Sequence, residues 1–438
     1  MLLEFTVENF RSIRDEQRLS LVAGPIDEMS DTHVATTPDG EHLLRSAVIY
    51  GPNASGKSNL LAALAAMQRF VLRSARRTRG DAIEEAEPFR LDATSRDRPT
   101  TFDVTFLAEG VRYQYGFSVT ASRVEAEWLY SFPKRRHRLL FDRGYDGDDE
   151  VYEFGEHLPG QKVVYRDATR PNALFLSTAV QLNSEALAPV FDWFGSKLEY
   201  TDSHKVAATL PAEATLRRCA SEAGRGRIVE LLKAADVGIH DVIVDEEEVH
   251  EFALMLDMAT GKTTRSSGPG RRTRVRFRHE GAADDEPFDL ADESLGTRRL
   301  FALSGRLLDV LEHGRVLVAD ELGSSLHPLI LRSIVSLFLD PHTNPHGAQL
   351  VFATHETNLL DQGFFRRDQV WFTEKGSDGS TSLTSLYEFR PRKGVEPLEK
   401  NYLKGRYGAL PMPRLPRAVS GVGRESRGPA AGGADAST

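Results

Sequence analysis

The sequence has almost no cysteine and no long apolar run. Cys219 is the one cysteine among 438 residues, which excludes a disulfide framework and a cysteine metal cluster and fits a reducing cytoplasm. The first twelve residues, MLLEFTVENFRS, lack the apolar core of a signal peptide. Residues 60–67, the longest apolar run near them, are too few to cross a bilayer. We therefore expect a cytoplasmic protein with no membrane segment.

Excess positive charge is also missing. The formal net charge is −9, with 40% hydrophobic and 27% charged residues, so the composition describes a globular protein and argues against a nucleic-acid coat. The local exception is a basic stretch made of Arg271, Arg272, Arg274, Arg276 and Arg278. Alternation along a strand places four of them on one face, either to contact a phosphate backbone or to protect a solvated edge strand. Contact with nucleic acid therefore stays open.

Hydrophobic periodicity predicts a mixed α/β chain. Strands are predicted at residues 2–10, 46–51, 124–132, 138–143, 149–154, 242–252, 315–321 and 348–356, with a hairpin at 101–119. Helices are predicted at 58–77, 225–239, 295–314 and 326–341, and residues 183–236 are mostly helical in pattern. Residues 261–281 indicate a Gly/Ser loop followed by a strand, and residues 411–438, rich in Pro, Gly, Ala and Ser, indicate a disordered tail.

A glycine-rich turn joins the predicted strand 46–51 to the predicted helix 58–77. Its pattern, Gly51-x4-Gly56-Lys57-Ser58, is that of a Walker A motif in the required strand–turn–helix context. Backbone N–H groups in such a turn approach phosphate oxygens closely, and the helix adds the positive end of its dipole. We expect nucleotide contacts from Gly51, Pro52, Asn53, Ala54, Ser55, Gly56, Lys57, Ser58 and Asn59. Lys57 would neutralise the β- and γ-phosphates, and the Ser58 hydroxyl would bind Mg²⁺.

Acids and a histidine end two later buried strands. Asp320 and Glu321 follow the apolar run Val316–Ala319, as in a Walker B strand. Asp320 is expected to hold Mg²⁺ through water, and Glu321 to activate the attacking water. His355, in the run FATHE, is expected to contact the γ-phosphate or that water. We therefore predict Lys57, Glu321 and His355 as the catalytic residues.

The motifs together resemble a known family. About 260 residues separate Lys57 from Asp320, a layout of ABC-type ATPases. The stretches MLLEFTVENFRSIRD, YGPNASGKSNLL, DESLGTRRLF, VADELGSSLHP and VFATHETNLL resemble the RecF/SMC/OLD-like branch of these ATPases. They are most similar to stand-alone AAA family ATP-binding proteins of RloA and abortive-infection type. The resemblance implies an ABC-ATPase-like P-loop head with an antiparallel β patch and a helical lobe inserted between Walker A and the signature segment.

The resemblance also implies a head-to-tail homodimer with two ATP molecules at its interface. Residues 294–297, here called the signature segment, would face the partner's P-loop, with Ser294 and Gly296 binding nucleotide in trans. Leu295 stands where the usual motif has a glycine, and an ordinary helix N-cap by Ser294 is the alternative. Gln181 is the candidate Q-loop metal ligand. His327 is read as a subfamily marker, and Arg11 and Ser12 either approach the nucleotide or form a solvated turn.

The resemblance also predicts the domain organisation. Residues 1–410 form one ATPase head, divided into a Walker A lobe with the β insertion (1–182), a helical/β insertion lobe (183–290) and a signature, Walker B and histidine part (291–410). No sustained heptads occur, which excludes long SMC-type arms, and an OLD-type nuclease has no room after His355. An effector such as a nuclease would be a separate protein.

We therefore expect an ATP- and Mg²⁺-dependent switch of prokaryotic anti-phage defence. The alternatives are a RecF-like DNA-binding repair ATPase and a nucleotide-gated sensor with negligible turnover. A transporter ATPase is less compatible, because the β insertion and the divergent signature segment do not suit one.

Overall fold

The computed structural model describes residues 1–202, 213–235, 237–256, 263–279, 286–360, 363–390 and 397–410. The tail predicted to be disordered, residues 411–438, lies outside the described residues. Among the helices of the described ranges, none is both long enough and apolar enough to cross a membrane.

The described residues form a mixed succession of strands and helices. The strands are β1 (Leu2–Glu8), β2 (Gln17–Ser20), β3 (Val34–Thr36), β4 (His42–Leu44), β5 (Ser46–Tyr50), β6 (Thr100–Ala108), β7 (Val111–Val119), β8 (Val124–Ser131), β9 (Arg138–Tyr145), β10 (Glu150–Phe154), β11 (Leu198–Asp202), β12 (Ile239–Leu256), β13 (Thr263–His279), β14 (Phe288–Asp289), β15 (Val316–Asp320), β16 (Gln349–Ala353), β17 (Val370–Lys375) and β18 (Thr381–Ser385). The α-helices are α1 (Ser30–His33), α2 (Lys57–Arg73), α3 (Ala93–Arg96), α4 (Lys162–Ala168), α5 (Phe175–Gln181), α6 (Ala188–Asp192), α7 (Glu213–Cys219), α8 (Glu222–Ala234), α9 (Leu295–His313), α10 (Pro328–Leu339) and α11 (Leu398–Leu403). Short 3₁₀ turns lie at Ser74–Arg76, Pro133–Arg135, Thr357–Leu360, Arg367–Gln369 and Leu386–Phe389, and a π-helical turn at Trp193–Lys197.

The central sheet has six strands in the order β11-β15-β16-β5-β17-β18. Its first five strands are parallel, and β18 is antiparallel to β17. Strands β5, β15 and β16 are buried along their whole length, which explains their continuous apolar runs. In a parallel sheet all carboxyl ends meet at one edge, so the segments that follow β5, β15 and β16 come together there.

A second sheet is antiparallel and has seven strands in the order β10-β9-β8-β7-β6-β1-β2. The hairpin predicted at 101–119 is confirmed as β6 and β7, whose turn holds Glu109 and Gly110 at positive φ. The predicted β patch is therefore larger than the insertion after α2. Strand β1 at the N-terminus lies between β2 and β6 and extends the sheet.

Helix α2 fills the space between the two sheets. One hydrophobic core contains Leu61 and Phe70 of α2 together with Phe117 of β7 and Ile49 of β5. The rings of Phe70 and Phe117 lie 5.4 Å apart. The other face of the central sheet, which includes Tyr50, forms a second core with helices α9 and α10. The sheet that carries the predicted nucleotide site is thus covered on both faces.

Part of the region predicted to be mostly helical is instead a strand. Within residues 183–236, strand β11 (Leu198–Asp202) pairs in parallel with β15, the predicted Walker B strand. The run LEYTD alternates too briefly to be distinguished from a helical segment by its sequence alone. Helices α7 and α8 follow it. They pack beside α9, where the Thr215 hydroxyl donates to the carbonyl of Phe301 at 3.0 Å.

Two further boundaries differ from the predictions. The helix predicted to reach Gly238 ends at Ala234, because the chain must turn before β12 begins at Ile239, and Gly238 provides that turn with a φ of +72°. The Gly/Ser loop predicted after residue 261 is part of β13, which pairs with β12 from Thr263 to His279. Glycine, serine and proline have low strand propensity, so this half of β13 carries no clear strand signal in the sequence.

Candidate functional site

The predicted P-loop, residues 51–58, lies at the carboxyl edge of the central sheet between β5 and α2. Lys57 begins α2, and its ammonium group donates to the carbonyls of Gly51 at 2.8 Å and Pro52 at 3.1 Å. The lysine side chain therefore folds back over the loop, with only 5% of the residue exposed. This burial lowers the pKa of Lys57, while the nearby negative charges of Glu321 and Asp320 act in the opposite direction.

Contacts from β17 and β18 hold the P-loop in shape. Gly56 has a φ of +108°, and a side chain at this position would overlap Thr381, so only glycine fits. The hydroxyls of Ser55 and Thr373 lie 2.6 Å apart, and the Thr381 hydroxyl donates to the carbonyl of Ser55 at 2.8 Å. Ser12 bonds to Thr381 at 2.8 Å. The loop is thus fixed from the side that faces away from Asp320.

The predicted acids lie at the same edge, two strands from the P-loop. Asp320 is the last residue of β15 and is largely buried. Glu321 follows it with a φ of +53°, a left-handed backbone that is uncommon for a residue other than glycine. Strand β16 separates β15 from β5, so the acids face the P-loop across the end of one strand. Such local strain is concentrated at functional sites in proteins.

His355 follows that intervening strand, as predicted, two residues after its end at Ala353. Although the residue as a whole is exposed, partial desolvation of the ring and the charge of Lys57 lower the pKa of His355. The charges of Glu321 and Asp320 act against this. The histidine is therefore close to all three groups, and its imidazole is mainly neutral near pH 7.

The residues present fit a nucleotide with Mg²⁺. Ser58 is exposed in the first turn of α2, directly after the loop. Asp320 offers a carboxylate from the neighbouring part of the sheet edge. Oxygen donors of this kind are the ligands that Mg²⁺ prefers, together with substrate phosphates and water. The backbone N–H groups of the loop and the start of α2 supply the matching site for phosphate.

The signature segment lies beside the loop that follows Asp320 and Glu321. Ser294 caps α9, and its hydroxyl accepts from the N–H of Thr297 at 3.1 Å, so the N-cap interpretation is confirmed. A side chain on Gly296 would come within 2.8 Å of the carbonyl of Ser325, and Arg299 donates to the carbonyl of Ser324. The helix begins at Leu295, as predicted. A role of Ser294 and Gly296 in trans stays a prediction.

Gln181, the candidate metal ligand, is not joined to this cluster by a hydrogen bond within the described ranges. It is exposed at the end of α5. Helix α5 packs against the last turns of α2, where the Ser177 hydroxyl donates to the carbonyl of Val71 at 2.6 Å. Fourteen helical residues, about 21 Å, separate Val71 from Lys57. The metal role of Gln181 therefore has no support from a contact and stays a prediction.

His327, which the sequence analysis interprets as a subfamily marker, caps a helix. Its Nδ1 atom accepts from the N–H of Leu329 at 3.2 Å and so caps helix α10. A histidine in this position satisfies one of the unpaired N–H groups at the start of the helix.

The arginines of the basic stretch are paired with acids where their side chains are described. Arg274 contacts Glu247 at 2.7 Å and Asp289 at 2.6 Å. Arg276 pairs with Asp245, and Arg278 lies 3.5 Å from Asp241. The side chains of Arg271 and Arg272 lie outside the described part of the chain. The described ion pairs argue against a phosphate-binding surface. The edge-strand interpretation is wrong too where β14 pairs with β13, at Arg276 and Phe277, because β13 there lies between β12 and β14.

Sequence reasoning missed the threonines that support the P-loop. Thr373 and Thr381 stand in two strands that were not predicted, VWFTEK and TSLTS. The available signal was β propensity, since both runs are rich in β-branched and aromatic residues. Nothing in the local sequence connects these strands to a loop more than three hundred residues earlier.

The parallel sheet, its glycine-rich loop and the acids beyond the next strand define a P-loop NTPase of mixed α/β architecture. The family described as "AAA domain, putative AbiEii toxin, Type IV TA system" matches residues 46–361. The match covers well over half of the chain, and the chain belongs to this family of AAA- and ABC-like P-loop ATPases. No curated protein matches the chain.

Proposed function

We propose that this protein is a cytoplasmic ABC-type ATPase that binds ATP with Mg²⁺, closes into a dimer around it and opens on hydrolysis. The observation that carries this proposal is the convergence of Lys57, Asp320, Glu321 and His355 at one edge of the central sheet, close enough for their charges to influence one another. These are the groups that phosphoryl transfer to water requires: a cation, a metal-binding acid, a base and a polar contact for the terminal phosphate.

Each residue has a separate task in this scheme. The loop N–H groups and Lys57 bind the β- and γ-phosphates. Ser58 and Asp320 would hold Mg²⁺, which would neutralise negative charge on the phosphates. Glu321 orients a water in line with the terminal phosphate and accepts its proton. His355, neutral at physiological pH, accepts or donates a hydrogen bond to that water or to the phosphate.

The signature segment supports closure between two copies. Ser294 and Leu295 are exposed at the N-terminus of the nineteen-residue helix α9, whose dipole favours a negative partner. We infer that this end of the helix approaches the γ-phosphate bound to the other copy. The Ser294 hydroxyl already accepts a hydrogen bond as the cap of its own helix. Because a hydroxyl can donate as well as accept, it could also donate to the γ-phosphate bound to the other copy.

Measurement of ATP hydrolysis and ATP binding by the same variants tests the proposal. Glu321→Gln should still bind ATP, because the amide keeps the size of the side chain, but should hydrolyse it at least ~100-fold more slowly, since it cannot accept a proton. The matched control is Glu230→Gln on the exposed face of α8, which should hydrolyse ATP at the wild-type rate. Equal single-turnover rates for Glu321→Gln and wild type would contradict an ATPase and favour the nucleotide-gated sensor.

The family description supports a cellular role in defence. It names a toxin of a type IV toxin–antitoxin system, and the resemblance to OLD-like and RloA-type proteins leads to the same class. We propose that the closed dimer controls a separate effector, such as a nuclease, in an abortive-infection-like response. The RecF-like alternative, direct DNA binding, is weakened by the ion pairs that occupy Arg274, Arg276 and Arg278.

A further inference from the structure

Two hydrogen bonds hold the segment that carries His355 against strand β5. The N–H of Thr354 donates to the carbonyl of Ile49 at 3.2 Å, which continues the parallel pairing of β16 with β5. One residue beyond the histidine, the carbonyl of Glu356 accepts a hydrogen bond from the Tyr50 hydroxyl at 3.1 Å. The backbone is therefore fixed on both sides of His355, once by a main-chain group and once by a side chain.

The Tyr50 side chain is held firmly enough to fix this backbone. Tyr50 is the last residue of β5, directly before the P-loop, and it is fully buried. Its ring centroid lies 5.7 Å from that of Tyr402 and 6.3 Å from that of Phe372, so the ring cannot turn freely. Burial, together with nearby acidic groups, raises the pKa of Tyr50 well above its usual value. The hydroxyl therefore keeps its proton near pH 7 and acts as a donor.

A third hydrogen bond reaches the same segment from helix α11. The hydroxyl of Thr357, two residues after His355, donates to the Oε1 atom of Glu399 at 2.7 Å. Glu399 lies in the first turn of α11, which is more than forty residues later in the chain. The segment from Thr354 to Thr357 is thus held by β5 on one side and by α11 on the other.

The imidazole of His355 depends on this backbone for its position. The residue is exposed, and within the described ranges no other group forms a hydrogen bond with its ring. A contact with the terminal phosphate or the attacking water requires the ring to lie within hydrogen-bond distance of it. Because a misplacement of about 1 Å can slow catalysis by about 100-fold, the groups that fix the backbone beside His355 affect the reaction without touching the nucleotide.

We propose that Tyr50 is a positioning residue for ATP hydrolysis, which acts by holding the backbone beside His355, and that the contact between Thr357 and Glu399 assists it. The proposal rests on the proposed function, because it assigns these side chains a task in the ATPase reaction. Tyr50 links the loop that binds phosphate to the histidine that follows the neighbouring strand. Helix α11 is then part of the support of the active site, although it lies far from the P-loop in the sequence.

The test measures ATP hydrolysis and ATP binding by Tyr50→Phe, which keeps the packed ring and removes only the hydroxyl. The kcat should fall about 10-fold, because the histidine is no longer fixed, while the Kd for ATP should equal that of wild type. The matched control is Tyr115→Phe in the antiparallel sheet. It also removes a buried tyrosine hydroxyl that donates to an oxygen, here of Glu127 at 3.0 Å, and it should keep the wild-type kcat.

A double-mutant cycle separates positioning of the histidine from a general loss of structure. In a His355→Ala background, Tyr50→Phe should cause no further loss of kcat, because the side chain that it positions is absent. A further 10-fold loss in that background would overturn the positioning role. A wild-type kcat for Tyr50→Phe would overturn it too, and so would a matching loss of ATP affinity, which would place the effect in the P-loop.

A separate variant tests the contribution of α11. Thr357→Val keeps the shape of the side chain but cannot donate to Glu399, so it should lower kcat and leave the Kd for ATP unchanged. A wild-type kcat for Thr357→Val would overturn the contribution of α11. Absence of ATP hydrolysis by the wild-type protein would instead contradict the proposed function itself, and the two failures are therefore distinguishable.

Discussion

At the scale of single residues, the site combines an expected chemistry with an unexpected backbone. Lys57, Asp320 and His355 occupy positions that their motifs predict, because each lies at or after the end of a short buried strand whose apolar run is visible in the sequence. Glu321 also lies where it was predicted. Its φ of +53° could not be predicted, because a glutamate in the sequence gives no signal of a left-handed backbone. A left-handed backbone costs a non-glycine residue about 1–2 kcal/mol, and the rest of the fold must hold it there.

This strain leads to a prediction about stability. Glu321→Gly should unfold at a higher temperature than Glu321→Gln, by an amount that corresponds to about 1 kcal/mol, because both variants lose the same charge beside Lys57 but only glycine relieves the backbone. Thermal unfolding of both variants without nucleotide measures the difference. Equal midpoints, or a lower midpoint for Glu321→Gly, would mean that the backbone at this position is not strained.

At the scale of elements, the long local signals were predicted and the short or distant ones were not. Helix α9 was predicted to end at Gly314, and it does, because its apolar periodicity is regular and Gly314 adopts a φ of +56° at its end. Strand β11 was missed, because five residues show no decisive period. Strands β17 and β18 were missed although they carry Thr373 and Thr381, since their task becomes visible only through the loop that they contact.

A buried carboxylate connects the antiparallel sheet to helix α5. Glu127 of β8 is 0% exposed and accepts from the N–H groups of Phe175 at 2.6 Å and Leu176 at 3.0 Å. The Tyr115 hydroxyl donates to the same carboxylate at 3.0 Å, and Arg143 lies 3.6 Å from it. One side chain thus satisfies the start of a short helix that has no cap of its own.

We expect Glu127→Gln to reduce the free energy of unfolding by about 2–4 kcal/mol, because its amide can accept at only one position and leaves Arg143 with less compensating charge. Urea denaturation measures the loss. Glu125→Gln, in the same strand but only partly buried, is the control. The Thr120 hydroxyl donates to Glu125 at 3.1 Å, and an amide oxygen can still accept this bond, so stability should change by less than about 0.5 kcal/mol. A loss below about 1 kcal/mol for Glu127→Gln would show that this connection is dispensable.

At the scale of the whole molecule, the main proposal is the dimer, which requires a test with two copies of the chain. We expect a dimer because the chain resembles ABC-type ATPases. The exposed N-terminus of α9 is the part of the chain that would approach the nucleotide of the other copy. Neither composition nor periodicity contains information about a partner copy, because an interface between copies has no period along the sequence. The division into lobes at residues 182 and 290 likewise stays a prediction.

Cross-linking between two different variants tests the dimer. In a Cys219→Ser background, one preparation carries Asn53→Cys and the other Ser294→Cys, and both positions are exposed. With ATP, Mg²⁺ and Glu321→Gln to prevent turnover, a short bismaleimide should link the two, because the P-loop of one copy then faces the signature segment of the other. Asp148→Cys, in the exposed turn between β9 and β10, replaces Ser294→Cys in the control and should give no product. Absence of a nucleotide-dependent product would contradict the head-to-tail arrangement.

The support of the P-loop by Thr373 and Thr381 has a consequence for biosynthesis. Ser55 bonds to residues that are 318 and 326 positions later in the chain. At a translation rate of roughly 5–20 residues per second, the loop leaves the ribosome tens of seconds before the strands that brace it. We therefore expect the nascent chain to bind nucleotide only after β17 and β18 have been synthesised.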